Sequence, residues 1–393
     1  MKNAIRLAVL FLLVIGVAEA GSYGALHALG ESSKSFSEIY DPTGNTARVK
    51  GGCDDYIQTL ELNPYLAYSR NKQCAGHSYR INNLGLLNRD ADLRHDKFYS
   101  IGIFGGSVAA QFAGSNSAPQ IEEILDNCFN SKSGRPFRVL NFAEGGWKQP
   151  QQVIALVLYG DYIDAAISIE GFNEYYWLKP GVSVDLSLPS STYSSLSNDG
   201  VFDKYYFLLS KLEKLSISKS NTIKLFTLLF REYLEKRGWK SYTVLVEKYA
   251  MPSDLDVHSN NVKRYVGFVK SFDAIAGAKD IYSLFVLQPS PIHKKLSISE
   301  LKVVVPLDYG KQYEEIASLL EQNSRRFLNL SDLFAGYDET IFSDRIHFVS
   351  TNEDFRSVGN YMMSKEIIRR LVADDIVLSN SNSENCVAGF RPQ

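Results

Sequence analysis

The sequence predicts an α/β fold, a parallel sheet covered by helices on both faces, and three observations predict it. Short apolar runs recur at Tyr99–Phe104, Arg138–Phe142, Ala165–Ile169 and Ile281–Leu287, as expected of strands buried on both sides. Segments of helical period lie between several of them. Polar or glycine-rich turns follow the first three runs directly: Gly105-Gly106-Ser107, Glu144-Gly145-Gly146 and Gly171-Phe172-Asn173-Glu174. Strands alternating with helices in this way give a parallel sheet, because each parallel pair needs a crossover connection.

The chain has 393 residues, 45% of them hydrophobic, which is ample for a large core. That length fits one large domain with an insertion, or two small ones. A formal net charge of -2 excludes the basic excess expected of a nucleic-acid partner.

Residues 1–30 form the first segment. Lys2 and Arg6 precede the apolar run Leu7–Ala18, and Ala18-Glu19-Ala20 is a small-x-small site, the layout of a secretory signal peptide. An uncleaved membrane anchor is the alternative, since Glu19 is the one residue ionised at neutral pH between Leu7 and Leu29. Either reading sends the body of the protein out of the cytoplasm, into the periplasm or beyond. Residues 31–96 are polar and irregular and form a lead-in packed on the main domain.

The main domain is expected over residues 97–378. After strand Tyr99–Phe104, Pro119–Cys128 reads as a helix, Arg138–Phe142 as the second strand and Pro150–Leu158 as a helix. Ala165–Ile169 is the third strand. The pattern then breaks. A helical insertion is expected over about 178–279, opening with a Ser- and Leu-rich loop. Its helices are Asn221–Arg237 and a second one on which Val262, Tyr265, Val266, Val269 and Phe272 share a face. Packing onto the main domain is the plain reading of this insertion; a lid or a partner surface is the functional one. Ile281–Leu287 resumes the sheet. Helix Gln312–Asn323, strand Phe327–Leu330 and helix Val358–Val372 follow, and 379–393 is a polar tail.

Four cysteines, Cys53, Cys74, Cys128 and Cys386, give an even count and three possible pairings. Cys53 with Cys74 closes a short stretch. Cys128 with Cys386 then ties the polar tail to the core. Four unpaired thiols are the alternative. No spacing of Cys or His predicts a metal site.

Four blocks carry possible chemistry: Gly105-Gly106-Ser107, Asn141 to Gly146, Gly171-Phe172-Asn173-Glu174 and Asp344-Arg345-Ile346-His347. The first three follow strands, and the carboxyl ends of parallel strands share the edge where ligands bind. A serine hydroxyl needs a neighbouring base to become a nucleophile. His347 can serve as that base, with Asp344 orienting its imidazole. The backbone N–H groups of Ser107 and Gly146 and the Asn173 amide are candidate donors to an oxyanion. Singly these blocks are weak: Gly-Gly-Ser also suits a phosphate-binding turn, and an acid near a histidine is commonplace. The absence of G-x-G-x-x-G and of Gly-Lys-Ser/Thr argues against nucleotide-binding turns. Glu144, Trp147, Tyr175, Tyr176 and Trp177 flank the blocks and are expected either to form a sugar-stacking rim or to cap the core. Arg345 is expected to contact an anionic substrate or pair with a surface acid.

Together and in this order, the blocks resemble those of the SGNH (GDSL-like) hydrolase superfamily. The resemblance covers roughly 99–169, the Gly171 block and 327–373. The lead-in, with Asn63-Pro64-Tyr65 and Ile81-Asn82-Asn83-Leu84-Gly85, and Leu287-Gln288-Pro289 are similar to exported or membrane-anchored members. Two departures, Gly-Gly-Ser for Gly-Asp-Ser and Gly-Phe-Asn-Glu for Gly-x-Asn-Asp, mark a divergent branch. The resemblance implies a three-layer α/β/α sandwich of flavodoxin-like type. It also implies a catalytic set of Ser107, Asp344 and His347, oxyanion donors at Ser107, Gly146 and Asn173, and no cofactor. The expected activity is esterase action on an O-acylated carbohydrate, O-acetyl above all. A polysaccharide O-acetyltransferase using the same acyl-enzyme is the first alternative, with a membrane or polysaccharide-assembly partner. A non-catalytic carbohydrate-binding or assembly protein is the second.

Overall fold

A computed structural model of the chain describes residues 2–35, 60–72, 81–87, 91–94, 96–114, 118–178, 219–236, 255–290, 309–336, 341–342, 347–348, 357–379 and 381–391. In chain order the first elements are α1 (Lys2–Ala28), a hairpin of β1 (Leu60–Asn63) and β2 (Ala67–Arg70), β3 (Tyr99–Gly105), α2 (Ser107–Ala113) and α3 (Gln120–Cys128). Then come β4 (Phe129–Ser131), β5 (Phe137–Ala143), α4 (Gln151–Tyr159), β6 (Ala165–Glu170), α5 (Tyr175–Leu178), α6 (Asn221–Lys236) and α7 (Leu255–Ala278). The chain closes with β7 (Tyr282–Leu287), α8 (Tyr309–Asn323), β8 (Phe327–Asn329), α9 (Val358–Ala373), β9 (Val377–Ser379) and α10 (Ser383–Ala388).

The chain divides into two compact units: Met1–Gln58 with Pro189–Tyr249, and Thr59–Leu188 with Ala250–Gln393. In the first unit α1 packs on α6. Glu19, the lone acid of the apolar segment, accepts hydrogen bonds from Ser220 and from the Asn221 N–H at 2.7 Å, capping α6. Leu26 and Leu228 bury against each other further along the same two helices. The predicted Ala18-Glu19-Ala20 site thus lies inside a continuous helix. The side chains of α1 are described from Val14 onward, and no helix among the described residues is long and apolar enough to cross a membrane.

The second unit is the predicted α/β fold. Five strands form one wholly parallel sheet in the order β5-β3-β6-β7-β8. In their order along the chain this reads 2-1-3-4-5, the flavodoxin-like arrangement. Every residue of β3, β6 and β7 is buried, as the unbroken apolar runs require.

Successive residues point to opposite faces, so each strand serves two layers. Ile101, Ile103, Val139, Ile167 and Val286 join Ile121, Ile124 and Leu125 of α3 and Met363, Ile367 and Leu371 of α9 on one face. Phe104 turns to the other face, where it packs edge-on against Phe272 of α7 at 5.4 Å. Phe272 meets Phe285 of β7 at 5.2 Å in the same way. Helices on both faces make a three-layer α/β/α sandwich.

The predicted insertion 178–279 is thereby two things. Helix α6 belongs with the N-terminal helix in the first unit, whereas α7 is a layer of the sandwich and leads directly into β7. An amphipathic period shows that a helix has a buried face but not which partner covers it.

The polar tail is tied down. Cys128 at the end of α3 is bonded to Cys386 in α10, and Ser383 donates to the Cys128 carbonyl at 2.7 Å. The pair β4–β9, antiparallel, closes the same corner. Cys53 and Cys74 lie outside the described residues, as does the Ser183–Ser197 loop.

Candidate active site

The sheet register sets the site. Gly105, Ala143 and Ile169 are paired across β5, β3 and β6, so the three strands end level. The strand order reverses between β3 and β6: the chain goes first to one side of β3, then to the other. Connections leave this point in opposite directions and open a crevice at the carboxyl edge. Ser107, Gly146 and Asn173 follow these three strand ends within a few residues.

Ser107 opens α2, and its half-buried hydroxyl lies 2.8 Å from Nε2 of His347. The turn that lifts it out of the sheet needs glycine twice. Gly105 has φ +143, and a Cβ there would meet Ala109 Cβ at 2.7 Å and collide with the Ile169 carbonyl. A Cβ on Gly106 would collide with Asn173 Nδ2 and stand 3.0 Å from the Trp147 carbonyl. The Asn173 amide therefore lies directly over the backbone that leads into Ser107.

Asn173 Nδ2 donates to the Trp147 carbonyl at 2.8 Å. An amide nitrogen has two N–H donors, and the second has no partner among the described residues. One bond fixes the side chain, and the other N–H stands ready for an acceptor. Gly146, at φ +83, holds the turn after β5. That turn is braced from beneath. Glu144 is fully buried and takes both Nε and Nη2 of Arg70 at 2.7 and 2.6 Å. The same carboxylate accepts the Gly145 N–H at 2.6 Å, and Tyr68 donates to the Gly145 carbonyl at 2.6 Å. Both Arg70 and Tyr68 come from the β1–β2 hairpin, so the lead-in supports the loop carrying Gly146.

His347 is held by its neighbour. Phe348 is buried edge-on against Phe334 at 5.1 Å and Phe342 at 6.2 Å. Gly359 of α9 packs so closely that a Cβ would stand 2.6 Å from the Phe348 ring. Asp344 and Arg345 lie outside the described residues.

Of the flanking side chains, four are described and all four are interior. Glu144 and Trp147 are fully buried and Tyr175 nearly so, as is Trp177. Glu144 faces inward, toward the interior Arg70 guanidinium that binds it twice. Trp147 packs edge-on against Tyr68 at 6.3 Å. Trp177 donates to the Gln149 carbonyl at 3.2 Å. Large aromatic surfaces beside a sheet edge gain more from burial than from waiting for a ligand. Trp147, Tyr175 and Trp177 thus cap the core, the second of the two places expected for them, and the Tyr176 side chain lies outside the described residues.

The crevice thus holds a serine hydroxyl against an imidazole, with an aimed amide beside them, on a rigid sheet edge. No family model matches the chain, and no curated protein matches it.

Proposed function

We propose that this chain is an exported serine esterase of SGNH type that removes O-acyl groups, O-acetyl first among them, from a carbohydrate. The carrying observation is the 2.8 Å contact between Ser107 Oγ and His347 Nε2 at the point where the strand order reverses. In this reading Ser107 attacks the ester carbonyl while His347 takes its proton. Asp344 orients the imidazole and stabilises its charged form. The Ser107 and Gly146 N–H groups and the second N–H of Asn173 receive the tetrahedral oxyanion. His347 then returns the proton to the leaving alkoxide, and water repeats the sequence on the acyl-enzyme. The carbohydrate half of the proposal rests on the family resemblance, because the flanking aromatics that are described are interior.

Incubation of the purified protein with a fluorophosphonate, read by intact mass, is the test. One adduct on wild type and none on Ser107→Ala is the expected result. Release of acetate from an acetylated oligosaccharide into water then separates hydrolysis from transfer to a sugar. No adduct on either protein rejects the catalytic reading and favours a binding protein on the same scaffold.

A further inference from the structure

Beneath the turn that presents Asn173 lie two acids that the acyl chemistry above does not use. Glu170 ends β6 and Glu174 ends the turn, and they are 0% and 2% exposed. Each bears on the electrostatics of the other, so the two carboxyl groups are close neighbours in the interior. A carboxylate only accepts, so two such neighbours can bond to each other only when one of them carries a proton. Two bare carboxylates side by side, out of water, would repel strongly.

The surroundings supply donors from every side. Ser168 of β6 gives its hydroxyl to Glu170 at 2.6 Å, and Gln149 gives its amide at 2.9 Å. Tyr265 of α7 donates to the other Glu170 oxygen at 3.4 Å. Gln152 of α4 reaches Glu174 at 3.3 Å. The Gly171 N–H binds Glu174 at 2.7 Å. Lys148, itself buried, is a cation that interacts with Glu174. Tyr313 of α8 faces Tyr265 and donates to the Gln288 carbonyl at 2.5 Å.

This cluster clasps the turn at both ends. Glu174 is bonded back to Gly171, which at φ +153 is wedged so closely that a Cβ would stand 2.6 Å from Gln288 and 2.7 Å from the Tyr313 hydroxyl. Asn173 sits between the clasped ends.

Building on the acyl-transfer reading of the site, we propose that Glu170 and Glu174 share a single proton and act together as positioning residues for Asn173, so that loss of that proton sets an alkaline limit on acyl transfer. When the proton leaves to bulk water, two adjacent carboxylates repel, the Glu174 clasp on Gly171 opens and the Asn173 amide loses its aim. Burial, and for Glu174 the charge of its partner, hold both acids above the usual carboxylate range. Burial also brings Lys148 down to about 8, so its compensating charge fades as the solution turns alkaline. Tyr265, pushed well up by burial and by the two acids, stays a donor throughout.

The test uses the full chain as wild type, Glu174→Gln and Glu174→Ala. Two quantities are followed across neutral and alkaline pH: unfolding stability and the rate of fluorophosphonate labelling of Ser107. The native pair holds a proton that the unfolded chain releases. Wild-type stability therefore falls as pH rises from the ordinary carboxylate range toward the raised one. Glutamine at 174 keeps an acceptor for Gly171 and a donor for Glu170 without a titrating proton. Gln152, whose carbonyl oxygen is buried without a partner, can turn to accept from it. Glu174→Gln is expected to lose the downward slope, retain labelling within a few-fold at neutral pH and extend it into the alkaline range. Glu174→Ala is expected to slow labelling by up to about a hundredfold. An unchanged alkaline limb and stability slope in Glu174→Gln would overturn the proposal. No labelling of wild type would remove the positioning role together with the acyl-transfer reading, while the stability slopes would still decide whether the pair shares a proton.

Discussion

Replacing Arg70 with methionine tests whether the loop that carries Gly146 is held in place by charge buried beneath it. Arg70 and Glu144 are each 0% exposed and meet through two bonds of 2.6 and 2.7 Å. Arg70→Met keeps most of the side-chain volume and removes the cation. Glu144 then keeps the Gly145 N–H but loses the cation that met it through two bonds. Breaking one side of such a pair costs about 3–5 kcal/mol, because a charge is left uncompensated in low dielectric. At about 1.4 kcal/mol per decade, that shifts the folding constant by roughly two to four powers of ten. Arg70→Met/Glu144→Leu removes both charges and is expected to regain much of the stability. It leaves the Gly145 N–H without its acceptor, so about 1–3 kcal/mol remains lost. Turnover should fall in both variants by up to about a hundredfold, since the Gly146 N–H loses its fixed position. Urea titration followed by tryptophan fluorescence, with Trp147 and Trp177 both interior, gives the stabilities. Fluorophosphonate labelling gives the activity. A loss below about 1 kcal/mol in Arg70→Met would mean that water reaches the pair, as it does at a surface bridge. Full recovery of labelling in the double variant would mean that the loop does not depend on Glu144. Either result refutes the argument.

Gly106→Ala places a methyl group against Asn173 Nδ2 and the Trp147 carbonyl. It is expected to lower labelling by about a hundredfold or more while circular dichroism stays native, as for loss of an oxyanion donor. Cys386→Ser opens a link spanning 258 residues. It is expected to cost about 2–4 kcal/mol in urea titration and leave the labelling rate near wild type, because α10 packs at the corner of α3, away from the strand ends.

Much of the sandwich was legible in the sequence because its strands are buried on both faces. Tyr99–Phe104 and Ala165–Ile169 each extend by one residue in the structure, to Gly105 and Glu170. The strand-end blocks were legible too, since parallel topology alone brings Ser107, Gly146 and Asn173 to one edge. Helix α2 was missed. It is only seven residues long, although Val108, Ala109, Ala110, Phe112 and Ala113 are buried along it. The Arg70–Glu144 pair left no local signal, because the partners are 74 residues apart. Glu174 stands out in the sequence only as a departure within the Gly171 block, and nothing there marks Glu170. Their burial follows from α7 and α8 covering that edge, and nothing in the local pattern announces it. For Trp147 and Tyr175 the sequence left rim and core both open, and they take the core: proximity to a motif says nothing about which way a ring points.

Three functional groups of the crevice are each held from beneath by something interior: Gly146 by Glu144 and Arg70, Asn173 by Glu174 and Glu170, His347 by Phe348. Two of these three supports are ionisable. An apolar core of the same shape would generally be more stable, since burying charge loses more hydration than pairing returns. What the charged supports provide instead is direction. Glu144 fixes the Gly145 N–H and Glu174 fixes the Gly171 N–H through directional bonds that hydrocarbon cannot make. Glu144 acts on the peptide plane next to the proposed Gly146 donor and Glu174 on the start of the turn that carries Asn173, where a small rotation would spoil their aim. Donors fixed before the reaction do not have to reorganise during it, which is where electrostatic catalysis gains over water. The buried charge is thus concentrated where orientation matters most, and the plain hydrocarbon support falls under His347, a group whose own hydrogen bond to Ser107 can guide it.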